Sequence, residues 1–145
     1  AFLNWQKFSQ ESPLFPIRRL VAAGCAVTAP DDVVAAYDAP FPDDSYTAGA
    51  RIFPSLVPTS PDDPAAAANE KAWATLSGFE RPFLTAFSDG DAITRRGYRI
   101  FQRTVPGAQG QPHTTIDGGG HFLQEDKGPD LARVVADFVE ATPPR

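Results

Sequence analysis

The chain contains no methionine, one cysteine and two histidines. A single thiol cannot close an internal disulfide, which excludes a secreted disulfide scaffold. Cys25 is expected to be a small buried hydrophobe, the usual fate of an unpaired cysteine. No zinc-type or calcium-type ligand spacing is present. Long apolar runs are missing too, and none approaches the about 20 residues of a membrane span. Basic charge is scarce: lysine and arginine total 13 against 18 acids, a formal net charge of −5. Nucleic acid and anionic membrane are therefore not expected partners, since phosphate binding needs a basic face. The pairs Arg18-Arg19 and Arg95-Arg96 read as solvated helix faces. No signal-peptide pattern opens the sequence, and a reducing, cytoplasmic setting is the expectation. Ala1-Phe2-Leu3-Asn4-Trp5 has the look of an excerpt from a longer polypeptide.

Proline, by contrast, is abundant. There are 15, most of them before residue 65, and each ends or forbids helix locally because it lacks a donor and clashes with the preceding turn. Between them the sequence is helical in character. Pro30 suits the first position of a helix running to Tyr37, with Asp31 and Asp32 favourable at its N-terminus. The alanine-rich stretch from Asp62 to about Leu76 is a good helix by propensity. No strand pattern appears before about residue 80, so the first half reads as short helices joined by turns.

The second half changes character. Pro82 to Ser88 is a short apolar run ended by Asp89-Gly90-Asp91, as in a buried parallel strand. A helix follows from Ile93 to about Thr104, then a second short strand within Gln111–Asp117, broken by Gly118-Gly119-Gly120. The last helix carries Leu131, Val134, Val135, Phe138 and Val139 on one stripe, with Pro129 at its start and Pro143 beyond its end. Strand–helix–strand–helix implies parallel strands joined by right-handed crossovers. Two such strands are too few for a sheet that needs both faces covered.

Open α/β sheets place their sites at the strand ends. Asp91 follows the first strand and His121 the second. One strand–helix–strand unit separates them, so neighbouring strands would bring both to one edge. A carboxylate there can accept from Nδ1 of the histidine, fix its tautomer and leave Nε2 as a base. Asp91 could instead be a helix cap, and His121 a surface loop residue. Asp89, the rival acid, suits turn formation, and His113 reads as structural. In hydrolases with this chain order the nucleophile precedes the acid, on a glycine-flanked elbow. No such elbow occurs here, and the nucleophile is expected upstream of Ala1.

Four stretches resemble the haloalkane dehalogenases, in the subgroup with a tryptophan pair for the halide. They are Ala1-Phe2-Leu3-Asn4-Trp5-Gln6-Lys7-Phe8, Ala36-Tyr37-Asp38-Ala39-Pro40-Phe41-Pro42-Asp43, Phe87-Ser88-Asp89-Gly90-Asp91 and Gly119-Gly120-His121-Phe122-Leu123-Gln124-Glu125. The second is typical of the cap helices of that subgroup, and the last resembles the loop of the catalytic histidine. The resemblance implies an α/β chain that is the C-terminal part of an α/β-hydrolase fold. Residues 1–78 would be a helical cap region, and 79–145 the last two β-α units of a parallel sheet.

By position Asp91 resembles the triad acid and His121 the triad base. Trp5 resembles the cap tryptophan that donates to the halide, and Phe2 an aromatic lining the substrate pocket. An indole offers a donor only and an apolar body, which suits a halide on an alkyl chain. Ordinary helix packing would otherwise account for both aromatics. Gly119 stands where the family commonly has alanine, and Ala92 where proline is usual. The implied partners are a haloalkane, a halide ion and water, with no nucleic acid, no membrane and a monomeric full-length protein. The implied reaction is displacement of halide by an upstream carboxylate, then hydrolysis of the alkyl ester by water activated at His121, with no metal or organic cofactor needed. An epoxide hydrolase, which would place tyrosines such as Tyr37 or Tyr46 as donors, and a non-catalytic fragment are the alternatives.

Overall fold

The structure is a computed structural model that describes residues 2–94 and 96–142. The Arg95-Arg96 pair and the expected helix-ending Pro143 therefore fall partly or wholly outside the described residues. The chain divides into two compact units, one of residues Ala1–Leu20 and Pro30–Trp73, the other of Val21–Ala29 and Ala74–Arg145.

In the first unit the helices are α1 (Phe2–Glu11), the first half of α2 (Ile17–Gly24), α3 (Asp31–Ala36), α4 (Ala48–Ile52) and most of α5 (Ala66–Leu76). The prolines set the pieces as expected, with two local differences. Pro30 is the N-cap of α3 rather than its first residue, with extended ψ of 149°. The helix expected from Asp62 begins at Ala66, because the Asp63 carboxylate accepts from the amides of Thr59 and Ser60 and holds its neighbours in turns. Arg51 organises the aromatic part of this unit. Its guanidinium donates to the carbonyls of Ser9 and Ser12, at 3.2 and 2.9 Å, past the last turn of α1. It also lies 4.8 Å from the centre of the Phe15 ring, a cation–π contact that fixes a ring against the helix end.

The second unit holds a two-stranded parallel sheet of β1 (Ala86–Ser88) and β2 (Thr114–Ile116), with Ala86 opposite Thr114 and Ser88 opposite Ile116. Three helices follow the strands: α6 (Tyr98–Thr104), α7 (Leu123–Asp126) and α8 (Gly128–Ala141). β1 is shorter than the expected Pro82–Ser88, since its earlier amides are used elsewhere. Phe83 donates to Gly107 and Thr85 to a histidine ring. The apolar stripe of α8 is only partly covered: Val135 is 50% and Val139 61% exposed. Among the described residues of this unit, Val105, Ala108 and Ile116 are the buried apolar ones.

His113 is structural in a definite way. Its Nδ1 accepts from the Thr85 amide at 3.1 Å, so the proton lies on Nε2, which donates to the Ala108 carbonyl at 2.8 Å. The Gln102 amide donates to the Thr85 hydroxyl at 2.8 Å, which also meets Nδ1. This network ties the entry of β1 to α6 and to the turn before β2. His113→Phe leaves the buried Thr85 amide without an acceptor. The expected loss is about 1–3 kcal/mol, read as a lowered urea midpoint with an unchanged slope.

Candidate active site

The site is built where the two parallel strands end. Hydrogen bonding continues past them: the Asp89 amide donates to Ile116, and the Gly90 amide to Gly119 at 3.1 Å. The Asp89 carboxylate accepts from the Gly118 amide at 2.8 Å, which is the turn role expected of it. Across the same edge the Ser88 hydroxyl donates to the Gly120 carbonyl at 2.8 Å. These bonds bring the two loops together, and the imidazole Nδ1 of His121 lies 3.2 Å from the Asp91 carboxylate.

Asp91 is held firmly. One carboxylate oxygen accepts from the Ile93 amide at 2.7 Å, and the other from the Thr94 hydroxyl as well as His121. That turn explains why α6 begins at Tyr98 rather than at the expected Ile93: residues 92–94 wrap the carboxylate instead of starting the helix. Asp91 thus combines the capping-type bonds of one reading with the histidine partner of the other. Burial acts to raise its pKa, but the bonds from Thr94, Ile93 and His121 outweigh burial and lower it to about 2. A carboxylate ionised at all ordinary pH is an acceptor only, so Nδ1 of His121 carries the proton and Nε2 is left with its lone pair free.

Exposure differs sharply between the two side chains. The Asp91 side chain is 6% exposed and the His121 side chain 36%. The acid is shielded, and the imidazole remains open to a reactant. The His121 ring also meets Phe122 edge to face, with centres 5.2 Å apart.

A lowered native pKa stabilises the fold fully above the unfolded carboxylate value near 4, and that contribution disappears as pH falls through about 2. Asp91→Asn should therefore flatten part of the acid limb between about pH 4 and 2, followed by thermal unfolding across that range. A limb identical to that of the parent would show that Asp91 adds nothing there.

Trp5 and Phe2 lie on α1 in the first unit. Trp5 stacks on Phe8 and Phe15, with ring centres 5.7 and 5.8 Å away, and no described residue accepts from its indole N–H. Phe2 is 38% exposed. Cys25 is half-buried rather than fully buried, and burial followed by the nearby Asp126 and Glu125 raises its thiol pKa, which makes it a poor nucleophile. No group of three or more histidine, cysteine or acidic residues is placed to hold a metal among the described residues.

Sequence reasoning missed Thr94, Ser88 and Asp126. Asp126 accepts from the amides of Ala26, Val27 and Gly120, at 2.8, 3.0 and 2.7 Å. Thr94 could have been found as a hydroxyl three positions after the acid. The Asp126 partners a hundred positions away leave no local signal.

No protein-family model matches the chain. It is 49% identical over 143 residues to the haloalkane dehalogenase of Psychrobacter cryohalolentis, covering 99% of this chain and 47% of that protein. To the haloalkane dehalogenase of Mycobacterium marinum it is 54% identical over 132 residues, covering 91% and 44%. Among solved structures, the tetrameric haloalkane dehalogenase of Paraglaciecola agarilytica NO2 superposes with a TM-score of 0.78 at 25% identity, over 92% of this chain and 44% of that one. The chain spans about half the length of the relatives it matches. The two parallel strands, their joined loops and these alignments agree: the chain is similar to the C-terminal portion of proteins named haloalkane dehalogenase and shares that part of their α/β-hydrolase fold.

Proposed function

We propose that this chain supplies the cap and the acid–base pair of a haloalkane dehalogenase, converting a haloalkane and water to an alcohol, a halide ion and a proton. The observation that carries the proposal is the Asp91–His121 contact beyond the ends of β1 and β2. In this reading a carboxylate from outside these residues attacks the carbon bearing the halogen, so a carbon–oxygen bond forms as halide leaves. His121 then takes a proton from water through Nε2 while its Nδ1–H stays on Asp91. The hydroxide so formed attacks the ester carbonyl, and the carboxylate is regenerated as the alcohol departs. In this reading residues 1–78 are the helical cap and 79–145 the hydrolase core, although by contacts residues 21–29 and 74–78 group with 79–145.

Trp5 is the halide donor and Phe2 a lining residue of the substrate pocket. The indole N–H without an acceptor among the described residues supports the first role, since a halide needs a donor free of negative neighbours. Among the described residues no helix is long and apolar enough to cross a membrane, and a cytoplasmic setting agrees with the unpaired Cys25. The expected monomer stands against the tetramer of the Paraglaciecola relative, and sedimentation of the intact gene product decides between them.

The test is halide release. The intact gene product that carries these residues should liberate bromide from a short bromoalkane and leave a terminal epoxide untouched. Hydrolysis of the epoxide alone would transfer the site to the epoxide hydrolases. Turnover of neither would leave the non-catalytic fragment as the better account.

A further inference from the structure

The loop that presents His121 has an unusual means of support. Gly118, Gly119 and Gly120 bring no side chains with which to pack, so backbone bonds must hold the loop in place. On the strand side it is held by Ser88 and Gly90, as described. On the other side the His121 amide donates to the Gly24 carbonyl at 2.7 Å. A Cβ on Gly120 would stand 2.6 Å from both the Gly24 oxygen and the Ala26 nitrogen, so this side is a close backbone approach. Bringing the amides of Gly120, Ala26 and Val27 into one place is unfavourable unless something accepts from all three. The Asp126 carboxylate does so, with Gly120 and Ala26 on one oxygen and Val27 on the other.

We propose that Asp126 is a positioning residue for His121. Its carboxylate clamps the Gly120 amide to the 26–27 backbone and so fixes the loop from which the imidazole reaches Asp91. The inference rests on reading His121 as the base. A charged acceptor suits the task because bonds to an ionised group are about twice as strong as neutral ones. Burial would raise the Asp126 pKa, but the three amides and then Lys127 overcome it and lower it, so the clamp stays charged at neutral pH. Asp126 does not touch the ring and contributes through placement alone.

The test compares the intact gene product with D126N and D126A. Asparagine keeps one oxygen for Gly120 and Ala26 and turns its NH2 group toward the Val27 amide, so it is the milder change and serves should the alanine variant fail to fold. The first readout is the ring-nitrogen NMR spectrum of His121, which reports the Nδ1–H tautomer and its bond to Asp91. The second is halide release. We expect the His121 signals to move toward those of a free, tautomer-averaged imidazole, slightly in D126N and strongly in D126A. In the same order kcat should fall, by about 10- to 100-fold in D126A, with KM within about twofold, as for a misplaced reacting group. His121 spectra superimposable on the parent in both variants would overturn the proposal, whether or not kcat falls, since any loss would then not act through the imidazole. Shifted spectra in a protein whose parent releases no halide would uphold the positioning role while removing the dehalogenase reading.

Discussion

Replacing His121 with glutamine is expected to turn continuous halide release into a single event. Halide leaves in the first half of the proposed reaction, which needs the nucleophile and a halide donor but no base. The imidazole enters only when water must be deprotonated to open the ester. In H121Q the first half should run once, releasing about one halide per active site, and then stall. Intact mass should rise by the alkyl group of the substrate less one hydrogen. Steady-state turnover should fall by at least about 10³-fold, the scale on which loss of a triad base acts elsewhere. Asp91→Asn should point the same way with a smaller loss, because the amide can present its NH2 to Nδ1 and favour the wrong tautomer. A variant that keeps multiple turnovers, or that releases no halide in the first event, would contradict the assignment of His121 to ester hydrolysis.

That pair was legible in the sequence for a physical reason. Parallel neighbours joined by one crossover must end at the same edge, so an acid after one strand and a histidine after the next are forced together. α8 was legible from its stripe, although Val135 and Val139 remain largely exposed, and Trp5 as an aromatic on an amphipathic helix. What stayed hidden was held by groups that leave no periodicity. Ile93 and Thr94 abandon helix to bind the Asp91 carboxylate, a choice that helix propensity does not register. Residues 83–85 look like strand, yet the amides of Phe83 and Thr85 go to Gly107 and His113. The passage 21–29 joins the second unit through the Gly24 carbonyl and the Asp126 carboxylate, about one hundred positions downstream. Neither partner is distinguishable by residue type from an ordinary loop group.

Among the described glycines, Gly107, packed against the segment that leads into β1, has the least room for a side chain. Gly107 donates its amide to the Phe79 carbonyl at 2.8 Å and accepts at its own carbonyl from Phe83 at 3.0 Å. Its backbone therefore lies flat against the segment 79–83. A Cβ there would stand 1.8 Å from the Arg81 oxygen and 2.7 Å from the carbonyl carbon. Those are backbone atoms, with no rotamer by which to withdraw. Gly107→Ala must either push 79–83 away, breaking both bonds, or shift the turn that carries the buried Val105 and Ala108. Overpacking of this kind costs about 1–3 kcal/mol, and each buried bond left unmade about the same again. The combined loss should reach at least about 4 kcal/mol, among the largest that one methyl group can produce. Gly49 supplies the contrast, because nothing lies within 4 Å of its added Cβ, and Gly49→Ala in α4 should be neutral or gain up to about 1 kcal/mol. Urea unfolding of the two variants separates the cases, and a Gly107→Ala midpoint equal to that of the parent would show that the close approach is not maintained. Since 79–85 leads directly into β1, the same substitution should also weaken the Asp91–His121 bond, visible as a change in the His121 ring signals under conditions where the variant is still folded.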